Sequence, residues 1–393
     1  MPVDATAVKA AARSTVARSE DHLVGLSHRI HHHPEVAFEE ERASAWVAEL
    51  LAGAGFAVDA GVADLPTAFV ATAGTGPLTV AICAEYDALP GIGHACGHNI
   101  IAAAAAGAGL ALAPLADELG LTVKVFGTPA EEGGGGKVLM LEAGLFAGVH
   151  AAMMVHPAPL ETVSMTCLAV SHLDVHYHGR SAHASAWPEE GVNAADALTV
   201  AQVGIGLLRQ HLPGSARVHG IVTHGGEAPN VVPAAASGRW LVRAPTLAEL
   251  AEIEPRVLRC FEAGALATGC TLEVVPMGPP YSEMRHDVEL AGLYQTNATA
   301  LGRRFAGSGG LGRASASTDM ANVSLAVPTI HPMLGLDCLP ASNHQPEFTA
   351  ACATPVADRA VLDGAAAMAW TCVDAATDPT VRERLLRGER RTG

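Results

Sequence analysis

The chain has 393 residues, nearly half of them apolar and 4% aromatic, with a formal net charge of −16. That length favours two domains over one, and the acidic balance excludes the basic footprint of a nucleic-acid-binding protein. Only three basic residues are lysines (Lys9, Lys124 and Lys137).

Asp4, Glu20 and Asp21 lie among helix-forming residues at the start of the chain, without the apolar core of a signal peptide. The eight cysteines form no CxxC pair and sit mostly in apolar runs, so a reduced, cytoplasmic protein is expected. Residues 78–84 form a continuous apolar run, predicting a strand covered on both faces. A polar segment from Glu85 to Asn99 follows, then the Ala-rich stretch Ile100 to Ala116, which reads as a buried helix rather than a membrane span. A second strand, Leu121 to Phe126, leads through a glycine-rich turn to a helix over Lys137 to Ala143. A third strand, near Ala151 to Val155, ends at His156-Pro157. This alternation predicts a doubly wound α/β domain. Asp87, Glu131, Glu132 and His156 all fall just beyond predicted strand ends, the edge where open α/β sheets bind ligands.

After about residue 168 the pattern changes. Ser171 to His178 alternates polar and apolar, and 193–211 reads as an amphipathic helix with Asn193 near its start. Strands follow near 216–223 and 235–243. Thr246 and Glu249 form a T-x-x-E capping signal for another helix, which Pro255 is expected to kink or split. A last strand covers Thr271 to Pro276. The order β-α-β-β-α-β is the split, ferredoxin-like unit. Helix-and-strand alternation resumes after about 283, with a long final helix between Thr349 and Asp374. The expected organisation is a discontinuous catalytic domain, 1–168 with 283–393, and an inserted α+β domain, 169–282.

The run Ala95-Cys96-Gly97-His98-Asn99 places a thiol and an imidazole two residues apart in a Gly-punctuated loop. Each alone is more often structural. Together with His94, in a loop with no packing need for all three, they point to a site for zinc or a related divalent ion. Glu131 and Glu132 on their own read as a solvated turn. Beside a metal, one carboxylate coordinates and the other serves as general base. Gly133 to Gly136 followed by Lys137 invites a phosphate-loop reading, but that loop needs Ser or Thr where Val138 stands. His156 is a further candidate ligand, and His331 and His344 compete for a remaining place.

These motifs resemble the M20 metallopeptidase family, and most closely its amidohydrolase branch. The resemblance is carried by Ala84-Glu85-Tyr86-Asp87-Ala88-Leu89-Pro90, His94-Ala95-Cys96-Gly97-His98-Asn99, Pro129-Ala130-Glu131-Glu132-Gly133, His178-Gly179-Arg180-Ser181-Ala182-His183-Ala184, Ser317-Thr318-Asp319-Met320 and the late His344. Gly91-Ile92-Gly93 and the Asn99 ending are similar to the M20D2-type dipeptidase and aminobenzoyl-glutamate group. The resemblance implies two divalent metal ions, zinc or manganese, held by Cys96, His98, Glu132, His156 and His344. It implies Glu131 as general base and Asp87 as a carboxylate that orients the site. It makes the inserted domain a lid and homodimerisation domain, from which His183 reaches the partner's active site and polarises the scissile carbonyl. Asn230 and Arg243 match positions that hold the substrate's carbonyl or carboxylate, and His331 falls near the substrate. Two positions depart from the family pattern. Glu85 stands where many branches carry His, and Gln345 stands where small or hydroxyl residues are usual.

The expected activity is hydrolysis of an amide bond in a small N-acyl amino acid or dipeptide carrying a carboxylate. The alternative is a non-catalytic metal- or ligand-binding protein that kept the fold, and the presence of Glu131 with every ligand weighs against it.

Overall fold

The computed structural model describes residues 3–305 and 315–392. The chain divides into two compact units, Met1–Thr166 with Met284–Gly393, and Cys167–Glu283.

The larger unit is built on a six-stranded sheet in the order Ala57–Ala60, Phe69–Ala73, Leu121–Thr128, Leu78–Glu85, Ala151–Met153, Thr329–Ile330. The last four strands are parallel, and the first two are antiparallel additions at one edge. The apolar run beginning at Leu78 forms the most buried of the long strands, as a strand with both faces covered requires. Ala84 is level with Gly127 and Glu85 with Thr128. Because these strands run in step, the segments carrying Asp87 and the Glu131-Glu132 pair leave the sheet at one edge.

The Ala-rich stretch becomes the helix His98–Leu112, with every residue except Leu110 buried. It is a core helix. Its small side chains permit close approach: a Cβ added at Gly107 would lie 2.8 Å from Ala365 Cβ, and one at Gly109 would lie 2.8 Å from Val125. Three amphipathic helices open the unit, Ala5–Arg18, Glu20–His32 and Glu41–Gly53, each burying a stripe such as Leu23, Leu26 and Ile30. The expected long helix near the end is Pro355–Thr377, preceded by the short Pro346–Ala351 and followed by Pro379–Leu386. Thr354 starts the long helix by accepting from the Ala357 N–H, with Pro355 in the first helical position, where its missing N–H costs nothing.

The smaller unit is a four-stranded antiparallel sheet ordered Thr271–Pro276, Ala169–His178, Ala235–Ala244, Arg217–His224. Its core lies between this sheet and the helices Ala194–Leu208 and Leu247–Thr268, with Tyr177, Trp240, Val257 and Phe261 at its centre. Asn193 caps the first helix, and Thr246 caps the second by accepting from the Glu249 N–H. Pro255 does not split that helix, which runs through 22 residues. Pro255 and Ala251 are both exposed, so the carbonyl deprived of its partner faces water, and the usual cost of an interior proline is reduced.

Candidate metal centre

The edge of the parallel strands gathers the cysteine, histidines and acidic pair of the larger unit. Gly97 is what lets Cys96 and His98 turn the same way. It sits in the left-handed region at φ 75°, and a Cβ there would lie 2.8 Å from Pro157 and 3.1 Å from Cys352 Sγ. His98 is the first residue of its helix and is fully buried. Its Nδ1 bonds Asp87 Oδ1 at 2.9 Å, while Asp87 Oδ2 accepts from the Glu132 N–H at 2.9 Å. Asp87 thus fixes both the imidazole and the acidic turn. His156 bonds its own strand at Nδ1, to Pro157 O at 2.8 Å, which leaves Nε2 as the nitrogen that could ligate a metal.

Two groups of ligand atoms lie within 4.8 Å of one another: Cys96, His98 and His156, all buried, and Cys96, Glu132 and the exposed His344. Cys96 belongs to both. His344 Nε2 stands 3.5 Å from Glu132 Oε1, and the left-handed backbone at His344 (φ 68°) accompanies that placement. A third group joins His98 to Glu85 and Glu131. Around His98 Nε2 stand Glu85 Oε2 at 3.4 Å, Glu131 Oε2 at 3.9 Å and Glu132 Oε1 at 4.0 Å. That nitrogen is buried and makes no hydrogen bond, and with three carboxylates around it the position favours a cation.

The electrostatics point the same way. Burial first, then Glu132 and Glu131, hold the Cys96 thiol well above its usual range. Burial, then Glu85 and Glu132, raises Glu131 well above an ordinary carboxyl. Burial also acts against ionisation of Glu132, but His344 and His98 outweigh it and lower this carboxyl. Burial works against charging His98 as well, and Asp87 more than reverses it. So many acids around one thiol repel one another, and divalent cations relieve that repulsion. Thiol, imidazole and carboxylate together suit zinc-like ions.

His331 is fully buried against His156, with ring centroids 5.4 Å apart. It packs behind that histidine. In the smaller unit His183 is exposed and bonds Ser185 through Nδ1. Its segment pairs with the one carrying Asn230: the Ala184 N–H donates to Asn230 O at 3.0 Å. Arg243 is half-buried and donates from Nε to His219 Nε2 at 3.2 Å. The strand register separates these groups. Ala235 pairs with His178, next to the His183 end, whereas Arg243 pairs with Val170 at the other end. At 3.3 Å per residue that is roughly 25 Å of strand. Within one chain, His183 and Asn230 lie on paired segments and Arg243 stands apart.

Two buried groups escaped sequence reasoning. Glu40 accepts from the Ala130 N–H at 2.8 Å and from Thr67 Oγ1 at 2.9 Å, bracing the left-handed Ala130 (φ 59°) just before the acidic pair. Lys137, the residue of the rejected phosphate loop, points inward and is fully buried.

A strand edge that gathers a thiol, imidazoles and paired carboxylates defines a metal-dependent hydrolase. Residues 81–366 match the profile of Peptidase family M20/M25/M40. A mouse protein named Xaa-Arg dipeptidase is 38% identical over 394 residues, spanning 96% of this chain and 90% of that protein. One p-aminobenzoyl-glutamate hydrolase polypeptide of Escherichia coli K12 is 36% identical over 269 residues, spanning 63% of this chain and 56% of that polypeptide. In fold the chain is similar to a dinuclear metal binding peptidase of the M20 family from Bacillus subtilis, with TM-score 0.65 at 22% identity, covering 91% and 98% of the two chains. The chain belongs to Peptidase family M20/M25/M40. It is a hydrolase of amide bonds, and the binding-protein alternative is not favoured.

Proposed function

We propose that this hydrolase cleaves dipeptides or small N-acyl amino acids that end in a free carboxylate, using two divalent cations held by Cys96, His98, Glu132, His156 and His344. The observation that carries this reading is the sharing of Cys96 between two ligand groups with Glu131 beside them. Cations bound there supply Lewis acidity and acidify a water. Glu131, whose proton affinity burial has raised, takes the proton from the attacking water and delivers it to the departing amine. Asp87 keeps His98 and the acidic turn in register. His183 polarises the scissile carbonyl, assisted by Asn230, and Arg243 pairs with the substrate carboxylate. His331 keeps a place beside the substrate only through His156, since it is itself buried.

Zinc and manganese are the metals to try first, and a reducing, cytoplasmic setting suits a chain with eight cysteines and no CxxC pair. A homodimer through the smaller unit is part of the reading. The Arg217–His224 strand is an open edge with Ile221 63% exposed, and the Ala194–Leu208 helix leaves Leu207 70% exposed. Such an edge pairs readily with a copy of itself. The distance between His183 and Arg243 along the sheet supports two chains contributing to each substrate, His183 from one and Arg243 from the other.

The name of the mouse relative makes Xaa-Arg dipeptides the first substrates to assay, with p-aminobenzoyl-glutamate and N-acetyl amino acids beside them. Turnover should require Mn²⁺ or Zn²⁺ and fall by about 10³-fold or more in Glu131→Gln, with metal content unchanged. Full turnover in the chelated protein, or in Glu131→Gln, would sink the mechanism.

A further inference from the structure

The glycine run before Lys137 has a mechanical purpose unrelated to phosphate. Gly135 is left-handed at φ 71°, and a Cβ on Gly136 would lie 2.1 Å from Pro129 O. The chain therefore doubles back against Pro129 and turns Lys137 inward. There its ammonium meets Asp319 Oδ1 at 2.5 Å and Glu85 Oε1 at 2.5 Å, all three side chains being fully buried. Asp319 grips the lysine twice, because its Oδ2 also accepts the Lys137 backbone N–H at 2.9 Å. Glu85 is gripped on one oxygen only. Its other oxygen, Oε2, is the one standing 3.4 Å from His98 Nε2.

Glu85, His98 and Glu131 therefore form a third group of cation-ligating geometry, in which Lys137 already occupies one oxygen of Glu85. A buried carboxylate without a counter-charge is costly, and it recruits whatever cation it can reach. We propose that Lys137, anchored by Asp319, is a positioning residue that serves as the built-in cation of Glu85. It withholds this carboxylate from the metal centre, holds the site at two metal ions, and leaves Glu131 unligated for proton transfer. The inference rests on the reading of Cys96, His98, Glu132, His156 and His344 as metal ligands.

Lys137→Met alone leaves two buried carboxylates facing each other and invites misfolding. The informative variant is Lys137→Met with Asp319→Asn, which removes one charge of each sign and releases Glu85. A second, Lys137→Met with Glu85→Gln, removes the lysine and the carboxylate it restrains. Equilibrium dialysis against Mn²⁺ alone, followed by elemental analysis, counts bound metal, with circular dichroism to verify folding. We expect two equivalents in the wild type, a third in K137M/D319N, and a return to two in K137M/E85Q. K137M/D319N should also lose about 10²-fold in kcat with KM little changed, as Glu131 is drawn into ligation. Metal content and affinity in folded K137M/D319N equal to wild type would overturn the role of Lys137 and leave the metal-centre reading intact. A third equivalent that persists in K137M/E85Q would overturn it as well. A wild-type chain that takes up no Mn²⁺ would instead overturn the reading beneath it.

Discussion

In the larger unit the groups assigned to chemistry, apart from the exposed His344, lie in the interior and are braced from elsewhere in the chain: Asp87 holds His98 and the turn at Glu132, Glu40 holds Ala130, and Lys137 holds Glu85. In the inserted unit His183 and Asn230 stand exposed, and Arg243 lies at the far end of the same sheet. The first region has the donors for a metal centre within one chain. The second has the groups proposed to hold substrate dispersed. Dispersion over roughly 25 Å of strand makes sense for a unit that works in pairs, and it makes the dimer the part of the proposal most open to attack.

Mixing is the strongest way to break that contrast. His183→Ala should cost about 10²- to 10³-fold in kcat, and Arg243→Ala should act mainly on KM. If the two residues serve one substrate from different chains, co-refolding the two variants in equal amounts should recover about a quarter of wild-type sites, since only one site in each mixed dimer is whole. A mixture as inactive as its components would remove the second chain from the mechanism. The interior region can be dissected next. Cys96 is common to two ligand groups and His156 belongs to one, so Cys96→Ala should strip metal from both positions while His156→Ala retains about one equivalent. Equal losses in the two variants would mean that Cys96 is not shared.

The smallest expected effect concerns the brace. Burial, aided by Asp87, lifts Glu40 from 4.5 to about 7. The folded chain therefore binds this proton more tightly than the unfolded one, and Glu40 contributes most to stability at low pH. That contribution declines as pH rises from about 4.5 to 7 and is flat above. Glu40→Gln cannot ionise, so its melting temperature should gain on the wild type across that window. A difference between the two melting curves that stays constant with pH would show that Glu40 does not titrate there.

Much of this was legible in the sequence where the signal is local. The strand Thr271–Pro276, the Thr246 cap and the acidic and imidazole residues at strand ends follow from neighbours in the chain. Thr354-Pro355 was a legible helix start that the Ala-rich run on either side obscured. What stayed hidden depends on partners far away in sequence. Glu40 meets Ala130 90 residues later, and Lys137 meets Asp319 182 residues later. No pattern around either residue distinguishes an inward-turned charge from a solvated one.

The helix that begins at His98 is packed with alanine and glycine against Leu23, Val125 and Ala365, and Asn99 is tied to Ser27 and to the Cys352 carbonyl. A helix so closely seated moves as a rod. One added methyl at Gly107, nine residues from the ligand end, has no space to enter except by pushing that rod along or sideways. With His98 as the proposed ligand, a packing change in this silent-looking interior reaches the metal site, so Gly107→Ala should weaken metal binding as well as stability.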